Sequence, residues 1–598
     1  MKNWQAPAVV LVALLIVTAR VLGQANTASD IEMLWGVKIP MRDGIRLNAT
    51  VFRPPRQEQP LPVIVTLTPY IGDTYYSRAS YFAQHGYVFA LVDVRGRGNS
   101  EGTFEPMEHE ARDGHDVVEW LAAQPWSNGR IGMWGGSYAG YDQWLTARER
   151  PPHLATIVPA AAGAPGLDFP FVNGVAQPYV MRWATYTSGV TSQRTVFDDL
   201  SFWISQYNKL YSSHQAFRDW DRIVGNPSAW FQKVLAHPND DAYWASMRLT
   251  REDYARIDIP ILTITGYYDA SMPMHADSGG DQLGALTYYR MHMAHATERA
   301  RSRHYLIVGP WDHAGTRTPS REVGGLTFGP ASLVDMNELH KAWYDWTLKN
   351  GPRPEFLKKR VTYYGVPNDE WKYADEIDSI TTETRTFYLA SDGDANDVFR
   401  SGQLTTHEPG ALPPDKYTYD PLDTRPGGVE TPDFTNVLTD QRLVMKTFGD
   451  GVIYHSEPFA EDVEITGVPK LAVWIALDVP DTDFLATLYE LRSDGASVLL
   501  AEDVLRARYR ESLEKPTLVP IGEVVRYEFK TMPFFSRQIA KGSRLRLFLR
   551  SPNSIYFEKN YNSGGVVADE TAKDARVAHV TVYHDAQHRS VLVVPVAK

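Results

Sequence analysis

The chain has 598 residues, more than one hydrophobic core organises, which sets an expectation of two to four domains. Hydrophobic residues at 43% and aromatics at 12% exclude a disordered chain, and a net charge of −12 without basic runs argues against a nucleic-acid surface. The chain contains no cysteine, which removes disulfides, thiolate metal sites and a cysteine nucleophile.

The N-terminus carries one lysine and then the apolar run Ala8–Ala19, followed by small residues around Gly23. A span of the ~30 Å bilayer core needs about 20 such residues, so the run fits the apolar region of a signal peptide over residues 1–23 and predicts an exported, periplasmic or secreted protein. An uncleaved anchor is the alternative, because Arg20 lies in the expected cleavage region. No later segment reads as membrane-spanning.

From residue 30 to 150, apolar β-branched runs alternate with helical or loop stretches. Leu61–Tyr70, Gly86–Gly96 and Gly129–Ser137 read as buried strands, and Ala111–Gln124 reads as a helix. Such alternation indicates a parallel sheet covered on both faces, with ligands at the carboxyl ends of its strands. Pro151 and Pro152 stop the helix after Ser137, and residues 151–256 read as a helical cap rich in Trp, Tyr and Phe without good strands. Strands return at Ile259–Asp269 and His304–His313, so residues 257–358 are expected to resume the sheet. Residues 359–598 change to strict alternation, as in Lys470–Val479 and Ser543–Ser551, where Leu545, Leu547 and Leu549 share one face and Arg544, Arg546 and Arg550 the other. That pattern predicts antiparallel strands with one wet face, in a sandwich or jelly roll. The fold class is therefore α/β with an inserted helical cap and a C-terminal all-β domain.

Two serines compete for the role of nucleophile. Ser100 sits in GNSEG and satisfies the G-x-S-x-G letters, but it lies in a loop with no clean helix after it. Ser137 sits in WGGSYAG between a buried strand and a helix, with Gly135 and Ala139 as small neighbours and Tyr141, Trp144 and Leu145 at helical spacing. Context favours Ser137. An acid and then a histidine should follow from later strand ends, and Asp269 and His313 stand there. Asp93 is the rival acid, otherwise an anchor for the RGRGNS loop; Asp312 reads as structural. His292 and His295 could share a helix face, but no third ligand arrives at a diagnostic spacing, so no metal and no cofactor is expected.

PYIGD (Pro69–Asp73), DVRGRGNSEG (Asp93–Gly102), GGSYAG (Gly135–Gly140), GYYD (Gly266–Asp269) and GPWDH (Gly309–His313) resemble the family of cocaine esterase, α-amino acid ester hydrolases, glutaryl cephalosporin acylases and Xaa-Pro dipeptidyl-peptidases. HPNDDAYW (His237–Trp244), LRARYR (Leu505–Arg510) and SPNSIYFEKNYNSGG (Ser551–Gly565) continue the resemblance. It implies an α/β-hydrolase domain, a helical cap and a C-terminal jelly roll. It further implies a serine hydrolase in which the N–H of Tyr138 and the phenol of Tyr70 form the oxyanion hole.

The substrate is expected to be a small ester, amide or short peptide. Tyr179, Trp183, Tyr186, Phe202 and Trp203 are candidates for an aromatic acyl pocket, and packing in a core is their alternative. Relatives that act on α-amino acid esters hold the substrate ammonium with clustered carboxylates; Asp240 with Asp241, or Asp198 with Asp199, are the candidates here. Removal of Xaa-Pro dipeptides is the other enzyme reading. A polysaccharide- or partner-binding protein with an inert hydrolase domain is the reading of another class. Whether the chain forms a homo-oligomer stays open.

Overall fold

The computed structural model describes residues 31–269, 280–430 and 436–597. The expected signal peptide, residues 1–23, lies outside the described residues. Among them, no helix is long and apolar enough to cross a membrane.

One sheet organises the first part of the chain. Its strands are β1 (Glu32–Pro40), β2 (Arg46–Arg53), β3 (Leu61–Thr68), β4 (Val88–Asp93), β5 (Ser127–Gly136), β6 (Leu154–Ala160), β7 (Ile261–Gly266), β8 (His304–Gly309), β9 (Val361–Gly365) and β10 (Glu370–Ala374). Their spatial order is β1-β2-β4-β3-β5-β6-β7-β8-β9-β10. Neighbours from β4 through β9 run parallel, while β1, β2 and β10 are antiparallel additions at the edges.

Alternation along the strands feeds two cores. In β3, Val63, Val65 and Leu67 point to one face and Ile64 to the other. Helices α1 (Tyr76–Gln84), α2 (Glu110–Ala122) and α3 (Tyr138–Glu149) cover these faces, with α2 and α3 on the side of Val65 and α1 on the side of Ile64. Each fully buried aliphatic side chain contributes about 1.5–3 kcal/mol, and the central strands are apolar on both sides, as such a sheet requires. The cap supplies α4 (Tyr179–Tyr186) and α5 (Leu200–Ser213); α6 (Gln282–His295) and α7 (Met336–Lys349) return to the sheet, α7 packing with α1.

Two boundaries differ from the sequence reading. β6 belongs to the sheet although it lies inside residues 151–256; three prolines in PPHLATIVPA hide a strand whose residues 156–160 are all buried. The sheet also continues past residue 358 through β9 and β10, because VTYYG is a short buried strand whose alternation resembles that of the segments beyond it.

From Glu383 onward the chain forms a β-rich domain. Its strands make one hydrogen-bonded network, antiparallel apart from the pairing of Gly402–Thr405 with Gly451–Ser456. The expected wet face of Arg544–Arg550 is not wet: Arg546 and Arg550 are buried. Arg546 donates to His455 Nε2 at 2.8 Å and to Gln441 Oε1 at 3.2 Å, so an overlying segment covers that face.

The late motifs meet where this domain touches the cap. Arg506 donates to Asp483 at 2.9 Å and to Glu558 at 2.8 Å, and Asn560 links Asp481 with Asp483. Tyr509 Oη donates to Asn239 Oδ1 at 2.8 Å, and Tyr211 Oη of the cap donates to Asn553 Oδ1 at 2.7 Å.

Candidate active site

Ser137 stands between β5 and α3 with φ 61° and ψ −127°. A non-glycine residue held there costs about 1–3 kcal/mol, and such strain is what lifts a side chain out of a strand-to-helix turn. The tight turn explains its neighbours. A Cβ on Gly135 would come within 2.6 Å of the Ala139 Cβ, and one on Gly140 within 2.7 Å of the Ala160 carbonyl. Small residues are therefore required at both places, and Ala139 serves where the letters of the pattern ask for glycine.

Ser100 is occupied elsewhere. Its Oγ accepts the Asn48 N–H at 2.7 Å and donates to the Asp93 carbonyl at 2.7 Å. Asp93 in turn accepts the Gly72 N–H at 2.7 Å, so it ties down the loops at the end of β4.

Asp269 follows β7 and is fully buried; His313 follows β8. The His313 Nδ1–H donates to Asp269 Oδ1 at 2.9 Å, and the same oxygen accepts the Asp281 N–H at 3.2 Å. Asp312 instead accepts the Gly315 N–H at 2.7 Å. Ser137 and His313 are not hydrogen-bonded to each other among the described residues. The serine Oγ lies 3.4 Å from Tyr70 Oη and within hydrogen-bonding reach of the Asp281 carboxyl.

Tyr70 is aimed by its surroundings. Its ring stacks on Tyr186 with centroids 5.1 Å apart, and Trp183 Nε1 donates to its hydroxyl at 3.1 Å. Burial raises its phenol far above the ordinary value, so it stays a neutral donor. Upstream, the buried Arg97 guanidinium donates to the carbonyls of Pro69 at 2.8 Å, of Thr191 at 3.2 Å and of Gly189, joining the Tyr70 loop to the cap. The Tyr138 ring stacks on Trp183 at the pocket with centroids 5.9 Å apart. Its hydroxyl donates to Glu110 and accepts the Met107 N–H at 2.7 Å, while its backbone N–H opens α3 and has no acceptor within the helix. Burial pushes Glu110 up to about 7.

Ser137 opens into a pocket of about 420 Å³, lined by Tyr70, Phe169, Tyr179, Trp183 and Asp281 among others. Of the sequence candidates, Tyr179 and Trp183 therefore lie at the site. Trp203 is a core residue, its Nε1 donating to Val196 O at 2.8 Å. Asp240 and Asp241, the candidate ammonium ligands, do not line this pocket. Asp240 pairs with Arg248; Asp241 caps a short helix through the Tyr243 N–H at 2.9 Å and meets His237 at 2.7 Å. Asp198 pairs with Arg194 and Asp199 caps α5.

The carboxylate that does enter the pocket is Asp281, which sequence reasoning missed. It sits at the start of α6, twelve positions after Asp269, and its sequence signal is only an acid directly before a helix. Burial raises it well above the usual carboxylate range, as do Asp168 and Asp269 nearby, while Arg317 and Ser137 oppose the shift. Asp168, pushed up to about 7 mainly by burial, accepts the Ala164 N–H at 2.7 Å and the Gly284 N–H at 2.6 Å. His292 is packed: its Nε2–H donates to Ile257 O at 3.1 Å, and its Nδ1 lies 3.0 Å from His304 Nδ1.

Comparison with known proteins agrees with this architecture. A family model described as X-Pro dipeptidyl-peptidase (S15 family) matches residues 43–315, and one described as the X-Pro dipeptidyl-peptidase C-terminal non-catalytic domain matches residues 355–593. Cocaine esterase of Rhodococcus sp. (strain MB1 Bresler) is 28% identical over 587 residues, spanning 94% of this chain and 98% of the esterase. The crystal structure of an aminopeptidase from the marine sediment archaeon Thaumarchaeota archaeon matches with a TM-score of 0.81 at 21% identity, covering 100% of this chain and 99% of that one. An α-amino acid ester hydrolase matches with a TM-score of 0.80 at 22% identity, covering 96% and 98%. These two structural likenesses bear on the fold. The chain thus carries, in order, the two domains that these family models describe, and over nearly its whole length it is a homologue of cocaine esterase.

Proposed function

We propose that the chain cleaves esters through an acyl-enzyme, with Ser137 as nucleophile, His313 as general base and acid, and Asp269 as the carboxylate that orients the imidazole. The observation that carries this reading is a serine on a strained elbow at a pocket floor, one carboxyl group away from a half-buried histidine paired with the buried Asp269. The Ser137 hydroxyl turns from Asp281 to His313 Nε2 when substrate fills the pocket; catalytic contacts of this kind commonly tighten only in the complex. Ser137 Oγ then adds to the carbonyl carbon while its proton passes to Nε2. The oxyanion accepts hydrogen bonds from the Tyr138 N–H and the Tyr70 hydroxyl. Nε2–H protonates the leaving alcohol, and a water molecule reverses the sequence to release the acid. Ser137→Ala should fold normally and lose labelling by a fluorophosphonate probe. Labelling that persists in Ser137→Ala and disappears in Ser100→Ala would move the nucleophile to the other serine.

A second reading narrows the substrate to esters with an α-ammonium group. It is favoured by Asp281, whose carboxyl borders both the pocket and Ser137 and is buried close enough to Asp168 and Asp269 to feel their charge. An ammonium group two bonds from the attacked carbonyl would meet Asp281 and neutralise that cluster. In an Xaa-Pro dipeptide the ammonium lies one residue farther from the scissile bond, which fits this position less well. Phenylglycine methyl ester, its des-amino analogue and Ala-Pro-p-nitroanilide separate the cases: equal kcat/KM for the first two excludes the amino-ester reading, and preferential cleavage of the anilide favours the peptidase.

We also propose export, supported by the apolar run Ala8–Ala19 behind the N-terminal lysine. Cell fractionation that finds the protein in the cytosol with residues 1–23 intact would overturn it.

A further inference from the structure

Gln282 is the first residue of α6 and is 1% exposed. Its backbone N–H donates to the Asp269 carbonyl at 2.7 Å. Its side-chain amide faces the other way along the same turn. Nε2 donates to the Gly266 carbonyl, at the end of β7, at 2.8 Å, and to the Phe534 carbonyl of the β-rich domain at 2.9 Å. Oε1 accepts the Phe534 N–H at 2.7 Å. One buried residue thus grips the acid-bearing turn before and after its bend, and clamps both backbone polar groups of Phe534 in the other domain.

The loop on the far side is itself anchored. Asp503, buried on a strand of the β-rich domain, accepts the Thr531 N–H at 2.9 Å and the Thr531 hydroxyl at 2.6 Å. Asn173 of the cap donates to Asp503 Oδ1 at 3.0 Å and to the Thr531 hydroxyl at 2.6 Å. The Phe534 and Tyr267 rings pack with centroids 6.2 Å apart. A path of hydrogen bonds and backbone therefore leads from Asp503 through residues 531–534 and Gln282 to Asp269, whose carboxylate receives His313 Nδ1–H.

We propose that Gln282 is a positioning residue through which the β-rich domain fixes the orientation of Asp269 toward His313. The proposal rests on the reading of Asp269 as the acid of the triad. Asp269 Oδ1 is the oxygen that meets His313, while Oδ2 has no hydrogen-bond partner among the described residues. The carboxylate therefore leans on the backbone of its turn, and the turn leans on Gln282. A glutamine suits the place because two N–H donors must meet two carbonyls and one oxygen must accept an N–H; glutamate would set a second acceptor against the carbonyls, and an aliphatic side chain would strand all three groups.

The test is a cycle of wild type, Gln282→Met, Asp269→Asn and the double variant, with p-nitrophenyl acetate as substrate and a thermal melt to identify the folded proteins. The expected result is a loss of about ten- to a hundredfold in kcat for Gln282→Met with KM within about twofold, and no further loss when Gln282→Met is added to Asp269→Asn. A Gln282→Met loss of equal size in the Asp269→Asn background would overturn the positioning role, since that residue would then act independently of the acid. Normal kcat in Gln282→Met beside an inactive Asp269→Asn would overturn the positioning role and leave the triad standing. Normal kcat in Asp269→Asn would overturn the acid assignment and the positioning role with it. If Gln282→Met does not fold, Thr531→Ala takes its place in the cycle. It loosens the same loop from the β-rich side, and a smaller but equally non-additive loss is expected; an additive loss or none overturns the proposal.

Discussion

Asp281 Oδ2 stands 3.6 Å from His313 Nδ1, the nitrogen that also meets Asp269 Oδ1 at 2.9 Å. Two buried carboxyl groups thus border one imidazole nitrogen, and the more distant one also lines the substrate pocket. If Asp281 receives a substrate ammonium, Asp281→Asn should lower kcat/KM for phenylglycine methyl ester by about ten- to a hundredfold, the scale of one charge-assisted contact of ~1.5–3 kcal/mol. The des-amino ester should change by less than about threefold. Equal losses on both esters would show that Asp281 serves the imidazole and not the substrate.

Tyr70 presents its hydroxyl 3.4 Å from Ser137 Oγ with Trp183 behind it. A donor to a developing oxyanion is worth about 3 kcal/mol in the transition state and little in the ground state. Tyr70→Phe should therefore lower kcat by roughly two orders of magnitude with KM nearly unchanged. Steady-state kinetics that return the wild-type kcat would remove Tyr70 from the oxyanion site.

Gly135 and Ala139 are pressed together across the elbow, where an added Cβ would lie 2.6 Å from the Ala139 Cβ. Gly135→Ala must displace α3 or the end of β5, at a cost of about 1–3 kcal/mol by the usual scale of overpacking. The melting temperature should fall by several degrees, and fluorophosphonate labelling should slow more than the loss of folded protein explains. Ser100→Ala, which breaks contacts to Asn48 and Asp93 and none to Ser137, should keep wild-type labelling.

Burial pushes Glu502 up to about 7, against opposing pulls from Arg550 and the Thr487 hydroxyl, and one of its oxygens lacks a partner among the described residues. Its folded form keeps a proton that the unfolded chain releases near the ordinary glutamate value. The stability it contributes is complete below that value and is lost as pH rises toward about 7. Glu430, also pushed up to about 7 by burial, acts in the same direction. Melting temperature should decline between about pH 5 and pH 8, and Glu502→Gln should flatten that decline. An identical slope in wild type and variant would show that Glu502 does not hold its proton.

The parallel strands were legible because β3, β4, β5, β7 and β8 are largely apolar runs, and the strand-to-helix turn at Ser137 was legible because such a turn imposes size limits on Gly135 and Ala139. β6 was hidden by prolines, and β9 by its similarity to the strands that follow it. The arginines of Arg544–Arg550 show the limit of a two-letter pattern: alternation gives the faces of a strand but not what covers each face, and here a distant segment carrying Gln441 covers the charged one. Asp281 was missed for a similar reason. In sequence it is an acid before a helix, one of many, and only the return of α6 against β7 brings it to Ser137. Asp240 and Asp241 show the converse, since their own helix and neighbouring cations use them locally.

Arg97 fastens the Tyr70 loop to two carbonyls of the cap, at Gly189 and Thr191. A cap that lifted on a hinge would pull on the tyrosine beneath it, shifting the Tyr70 hydroxyl away from Ser137 at each opening. Gate and catalytic floor are one mechanical piece at this corner. At this corner the cap and the Tyr70 loop would have to move together.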